Sequence, residues 1–173
     1  MFNAVQLRTN MSREEILSNC QEVMHGNWLG KKIVIRIDGG GLHRAVWVAL
    51  LSQALGKENI LGLVLPHLQL EKPEATYALG EKYCSEVKTI PITMAAADLH
   101  NELEHAGVPF QSRTDLETMI TDLRHLVIDH LVRCGYKCPP EISWLGEFDQ
   151  DLSHIIEQLE IPQEIIDLYT KED

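Results

Sequence analysis

Ile33-Val34-Ile35-Arg36-Ile37 is a short β-branched run that stops at Asp38-Gly39-Gly40-Gly41, and an apolar helical stretch from Arg44 to Leu55 follows, closed by Gly56. This strand, glycine turn and helix constrain the fold more than any other segment. The same rhythm returns downstream: Ile60 to Leu65 reads as a strand, Pro73 opens a helix running to about Cys84, and Val87 to Ile92 reads as another strand. Strands that alternate with helices imply right-handed crossovers and a parallel sheet. The expected fold class is therefore α/β, a parallel sheet of three to four strands beginning with Ile33 to Ile37 and carrying helices on both faces.

The flanking segments read as helices. Ser12 followed by Glu15 is a capping-box signature, after which Ile16, Leu17, Cys20, Val23 and Met24 recur at helical spacing up to Gly26. Asp98 to His105 has a helical pattern. Thr114 with Glu117 caps a longer run whose Leu116, Met119, Ile120, Leu123, Val127 and Leu131 share one stripe. A competing parse ends that helix near Arg124 and makes Leu126-Val127-Ile128 a strand; the long helix is the preferred reading. The tail offers Asp149 or Asp151 as a cap for a helix with Ile155, Ile156 and Leu159 on one face, then a short helix begun by Pro162. No repeat, linker or low-complexity segment breaks the chain, so residues 1–173 are expected to form a single domain.

Composition removes several function classes. Fifteen basic residues against twenty-six acidic ones give a net charge of −11, which disfavours wide nucleic-acid contact. No stretch approaches the roughly 20 apolar residues of a membrane span, and the N-terminal residues lack the apolar segment of a secretory signal. A cytoplasmic protein without nucleic-acid or membrane partners is the expectation. Cys20, Cys84, Cys134 and Cys138 suggest no disulfide framework, and the Cys134/Cys138 spacing lacks the second pair that a structural zinc site usually shows. His125 with Asp129, and His100 near His105, come nearest to ligand spacing among eight histidines, but such pairs are common on solvated helix faces, so no metal site is expected. The acidic run of Asp98, Glu102 and Glu104 reads as a surface face. Trp47 reads as core, and Trp144, in an expected loop, as core or ligand platform.

A strand ending in a glycine cluster that opens a helix is a ready anion site, because glycines let backbone N–H groups approach a phosphate and the helix start carries positive partial charge. The same three glycines equally suit a tight packing turn. The wider stretch GGGLHRAVWVALLSQALGKENILGLVLP, Gly39 to Pro66, resembles the pyrophosphatase-loop region of the ammonia-dependent NAD synthetase family, which reads SGGxDS, then an apolar helix, then a stretch very like ALGKENILGL. Glu74 to Ile92 resembles that family's next helix and strand. Glu141 to Asp167 resembles its late segment, ending in IPxEII; together the similar stretches cover about half the chain. The resemblance implies a Rossmann-like ATP pyrophosphatase fold in which ATP adenylates deamido-NAD and ammonia displaces AMP.

Departures from the family pattern fall on the chemistry. Gly39 stands where the family has its first serine, His43 where it has aspartate and Arg44 where it has its last serine, while Gly40 and Gly41 keep the two glycines. Mg²⁺ wants hard oxygen ligands, which neither imidazole nor guanidinium supplies. No counterpart of the family's GTxNxxE segment fits between Tyr136 and Glu141, and Gln150 and Asp151 replace its Lys-Thr pair. The resemblance thus implies a divergent, catalytically degenerate relative with no catalytic residue. Gly39, Gly40, Gly41, His43 and Arg44 are the expected nucleotide- or phosphate-binding residues, no cofactor is required, and ATP or another adenine nucleotide is the implied ligand. An active amide-forming ligase that positions ATP by an altered scheme, and a regulatory or structural partner protein, are the rival readings. The apolar stripe between Asp115 and Cys134 resembles the family's dimerising element and implies a homodimer.

Overall fold

Aliphatic runs without polar alternation need cover on both sides, and the computed structural model provides it. The structure describes residues 5–7, 10–24, 32–108, 113–139, 142–144 and 152–171. Its elements are β1 (Val5–Leu7), α1 (Arg13–Met24), β2 (Ile33–Arg36), α2 (Gly41–Leu55), a 3₁₀ turn (Lys57–Asn59), β3 (Ile60–Val64), α3 (Pro73–Tyr83), β4 (Glu86–Thr89), α4 (Thr93–His105), α5 (Arg113–Arg133), β5 (Ile142–Trp144), α6 (Ser153–Gln158) and α7 (Gln163–Thr170). Strands β2, β3 and β4 pair in parallel in that order, with Ile33 opposite Ile60 and Leu61 opposite Glu86. On the outer side of β2, Lys137 adds a single parallel bridge at Ile33.

Side chains alternate across a strand. Ile33, Ile35 and Ile37 therefore enter the main core with Ile16 of α1, Leu50 of α2 and Leu79 of α3. Val34, Leu61, Leu63 and Leu65 face the other way, under Val127, Ile128 and Leu131 of α5. Helices on both faces of a parallel sheet are what the sequence pattern implied. Helix α2 is buried at every position from Ala45 to Ser52, as an all-round apolar helix should be. Gln163–Thr170 packs on α2 and α3, and Lys72 ties its end down by donating from Nζ to the Tyr169 and Lys171 carbonyls at 2.9 and 2.7 Å.

The capping box is present in full: Glu15 N donates to Ser12 Oγ at 3.2 Å and Ser12 N to Glu15 Oε1 at 3.4 Å. Residues Leu126 to Ile128 lie inside α5, so the long helix prevails over the rival strand. Most of its stripe, from Met119 onward, is covered. Met119, Ile120 and Leu123 pack with Ile92 and Ala96 at the α4 contact, and Val127 and Leu131 cover the sheet. The apolar residues that α5 leaves exposed are Leu116, Leu126 and Val132.

Three expectations need correction. Helix α4 begins at Thr93, five residues before Asp98, because Ala95, Ala96 and Ala97 favour helix and Ala96 is buried against α5. The strand expected over Val87 to Ile92 spans Glu86–Thr89, and Ile92 instead joins the α4–α5 cluster. Trp144 was expected in a loop, yet its backbone lies in β5, paired in parallel with β1. Neither β1 nor β5 has a local signal, since each is three residues long and its partner lies far away in the chain. The expected caps Asp149 and Asp151, the Gly26 helix end, Gln150, and the side chains of Thr114 and Trp144 lie outside the described residues. No helix among the described residues is long and apolar enough to cross a membrane.

Two stability tests follow from the packing. A Cβ on Gly80 of α3 would stand 2.5 Å from Val87 Cγ2 and 3.0 Å from Ile37 Cδ1. Overpacking of about 1–3 kcal/mol should exceed the roughly 1 kcal/mol that alanine gains over glycine in a helix, so Gly80→Ala is expected to unfold at lower urea. An unchanged or higher midpoint would mean that α3 shifts freely. Burial pushes the thiols of Cys20 and Cys84 up to about 12, whereas Cys134 and Cys138 are exposed. Since the thiolate is the reactive form, a thiol-reactive dye at neutral pH should label Cys134 and Cys138 in the native protein, and Cys20 and Cys84 only after denaturation. Rapid native labelling of all four would contradict this packing.

Candidate functional site

Three successive left-handed residues follow β2: Gly39, Gly40 and Gly41 have φ of 74°, 73° and 56°. Any residue with a Cβ is disfavoured there by about 1–2 kcal/mol, which accounts for the glycine run. Helix α2 starts at Gly41 with no side chain capping its first turn, so its leading N–H groups resemble the anion-ready helix starts of other folds. Arg44 lies over this turn. A Cβ on Gly40 would be 3.0 Å from Arg44 Cβ and 3.2 Å from its Nε.

The turn does not stand alone. Asp38 is almost fully buried, and both its oxygens are held by Arg36, Nε at 2.9 Å and the second guanidinium nitrogen at 3.1 Å. A two-point fork fixes the guanidinium plane at the end of β2. From the opposite side Arg124 of α5 donates through Nε to the Leu65 carbonyl at 3.0 Å. Its pKa is lowered by burial and next by the charge of Arg36, with Asp38 acting in the other direction. Arg36, Arg44 and Arg124 thereby line one cleft of about 420 Å³, with Trp47 and Ile128 on its apolar walls and His125 and Asp129 on its α5 side.

Arg36 and Arg124 also border a neighbouring recess of about 550 Å³ together with Asp38, Gly39, His67 and Glu117. There the His67 Nδ1 is buried without a hydrogen-bond partner among the described residues. Arg44 reaches towards the C-terminal helix as well: Tyr169 has its phenol pushed up to about 12 by burial, an effect that the Arg44 charge and a hydrogen bond with Thr76 oppose.

Of the residues expected from sequence, the structure brings together Gly39, Gly40, Gly41 and Arg44 around the turn. His43 is directed elsewhere. It lines a separate recess of about 660 Å³ with Leu152, Glu157 and Glu160, because neighbouring residues project about 100° apart around a helix. Sequence reading passed over Arg36, Asp38 and Arg124. A charge inside a β-branched run, with an opposite charge two residues on, was a usable signal for the first two. Arg124 had none, since only the fold brings α5 to the end of β2. Among the described residues, no group of three His, Cys, Asp or Glu side chains is placed to hold a metal ion.

A parallel sheet with helices on both faces and a glycine turn just beyond its edge strand β2 defines an α/β protein of the Rossmann-like kind, in which the strand ends are the general place for ligands. The NAD synthase family model matches residues 14–121, and this chain belongs to that family. Over 39 residues it is 56% identical to the NH(3)-dependent NAD(+) synthetase of Coprothermobacter proteolyticus, a stretch that covers 22% of this chain and only 13% of that relative. Similar solved structures include an NMN synthetase from Francisella tularensis (TM-score 0.66, 17% identity, covering 94% of this chain and 79% of that one). An NH3-dependent NAD synthetase from Campylobacter jejuni in complex with the nitrate ion gives a TM-score of 0.68 at 15% identity, covering 94% and 80% of the two chains. These structural likenesses establish the Rossmann-like fold.

Two alanine substitutions separate backbone strain from side-chain contact at the turn. A Cβ on Gly41 would meet nothing within 4 Å, so Gly41→Ala should cost only the backbone term of about 1–2 kcal/mol. Gly40→Ala should cost more, because its Cβ also displaces Arg44. Equal losses in urea unfolding would show that Arg44 does not rest on the turn.

Proposed function

We propose that this chain is a catalytically degenerate member of the NAD synthase family that binds a nucleotide or another phosphate compound at its glycine turn. The observation that carries the reading is the position of Arg44, a guanidinium folded against Gly40 where the resemblance has a serine. The Mg²⁺ that the family implies does not fit this surround. His43 faces a different recess, and both oxygens of Asp38, the buried carboxylate beside the turn, already accept hydrogen bonds from Arg36. Aligned charge supplies much of the rate of such reactions, so a site with these groups replaced is expected to bind without turning over. Similar solved structures include both an NMN synthetase and an NAD synthetase, so the fold leaves the choice of nucleotide to the site. Cysteines that form no disulfide among the described residues suit a reducing cytoplasm.

Purified protein given Mg-ATP, ammonia and deamido-NAD is expected to form no NAD and release no AMP above a blank. Stoichiometric NAD and AMP, lost when Gly40 or Arg44 is changed, would establish an active ligase instead. Calorimetric titration with ATP, AMP and inorganic pyrophosphate is expected to show binding that Arg44→Ala weakens about 10- to 100-fold, the loss of one charge-assisted contact. Equal affinities for the two proteins would reduce the turn to a packing device.

A further inference from the structure

The cleft between α2 and α5 inverts the charge of the molecule locally. Against a net charge of −11, its described lining has three arginines and one carboxylate, Asp129. Asp38, behind Arg36, offsets part of this. Like charges cost energy when gathered in a half-buried space unless an anion sits among them. Donor geometry points the same way. A guanidinium has five N–H donors; Asp38 takes up the Nε and one other nitrogen of Arg36, and Leu65 O takes only the Nε of Arg124. Among the described residues the outer nitrogens of Arg124 have no acceptor, and Arg36 is fixed in plane beside them. Trp47 and Ile128 give the same cleft an apolar wall.

We propose that this cleft is an anion site in which Arg124 and Arg36 do the work of a divalent cation, and that its ligand is a phosphorylated small molecule with an apolar group beside the phosphate. Arg124, Arg36 and Arg44 line the same cleft, so the site continues from Arg44 at the glycine turn to α5; the proposal rests on the phosphate-binding reading above and names the class of ligand. Guanidinium forks match phosphate oxygens two at a time and need no metal bridge. Mg²⁺ that pairs with the ligand in solution therefore competes with the protein for it.

Phenyl phosphate and inorganic phosphate are suitable probes, titrated calorimetrically into the full chain in EDTA and again in excess MgCl2. Phenyl phosphate is expected to bind more tightly than inorganic phosphate and at least as well in EDTA as in MgCl2. Arg124→Met should weaken it about 10- to 100-fold, Arg124→Lys by less, and Arg133→Met, an exposed change at the end of α5, not at all. Thermal melts of each variant without ligand check the fold, and Arg124→Lys keeps the test open if the methionine variant unfolds. A requirement for Mg²⁺, equal affinity for both probes, or an unchanged affinity in both folded Arg124 variants would overturn the proposal. Loss on Arg44→Ala with no loss at Arg124 would leave the glycine turn standing and remove the cleft. Loss at Arg124 with none at Arg44 would do the reverse, and no binding of either probe at millimolar concentration would remove both.

Discussion

Burial of β2 and β3 on both faces governs everything else in this molecule. Once Ile33, Ile35 and Ile37 are committed to α1, α2 and α3, and Val34, Leu61, Leu63 and Leu65 to α5, no polar group fits along these strands except at their ends. Arg36 and Asp38 occupy that end. Their charges are tolerable there because the fork between them satisfies both oxygens of a carboxylate that water barely reaches. Parallel strands leave together at one edge of the sheet, so the charged groups, the glycine turn and the first turn of α2 all gather at the same place.

Helix α5 converts that place from an edge into a cleft. Its inner stripe covers the sheet through Val127, Ile128 and Leu131 and meets α4 through Met119, Ile120 and Leu123. The packing sets Arg124 over the end of β3, where the Leu65 carbonyl orients it. A helix held by so many apolar contacts has little freedom to withdraw, so the distance between Arg124 and Arg36 is fixed by the core rather than by the site. Family membership and divergence then divide along the same line. Gly40, Gly41 and the apolar body of α2 follow the family pattern that the sequence resembles, while Gly39, His43 and Arg44 depart from it.

Much of the architecture was legible from local signals. Ser12 and Glu15 form the reciprocal cap that their spacing implied, Gly56 follows the last turn of α2, and the strand and helix rhythm from Ile33 to Cys84 holds to within a few residues. Pieces without a local signal were missed or misplaced. The strands Val5–Leu7 and Ile142–Trp144 exist only as each other's partner, and α4 starts early because a run of alanines meets an apolar face on α5. At the site, the glycines and Arg44 were readable as a motif, whereas Arg36, Asp38 and Arg124 were not read as one cluster.

The sequence by itself determined the parallel α/β arrangement, the glycine turn that only residues without a Cβ adopt cheaply, and the presence of an imidazole, His43, and a guanidinium, Arg44, just after that turn. These properties are set by periodicity, by φ and by side-chain chemistry, all of which are local. Tertiary structure alone decided that His43 and Arg44 line different recesses and that the α5 stripe from Met119 to Leu131 packs within the chain, leaving Leu116 exposed. It also brought an arginine more than eighty positions away to the end of β2. Those outcomes depend on which faces meet across long stretches of chain, and a contact between distant residues leaves no periodic trace in the sequence of either one.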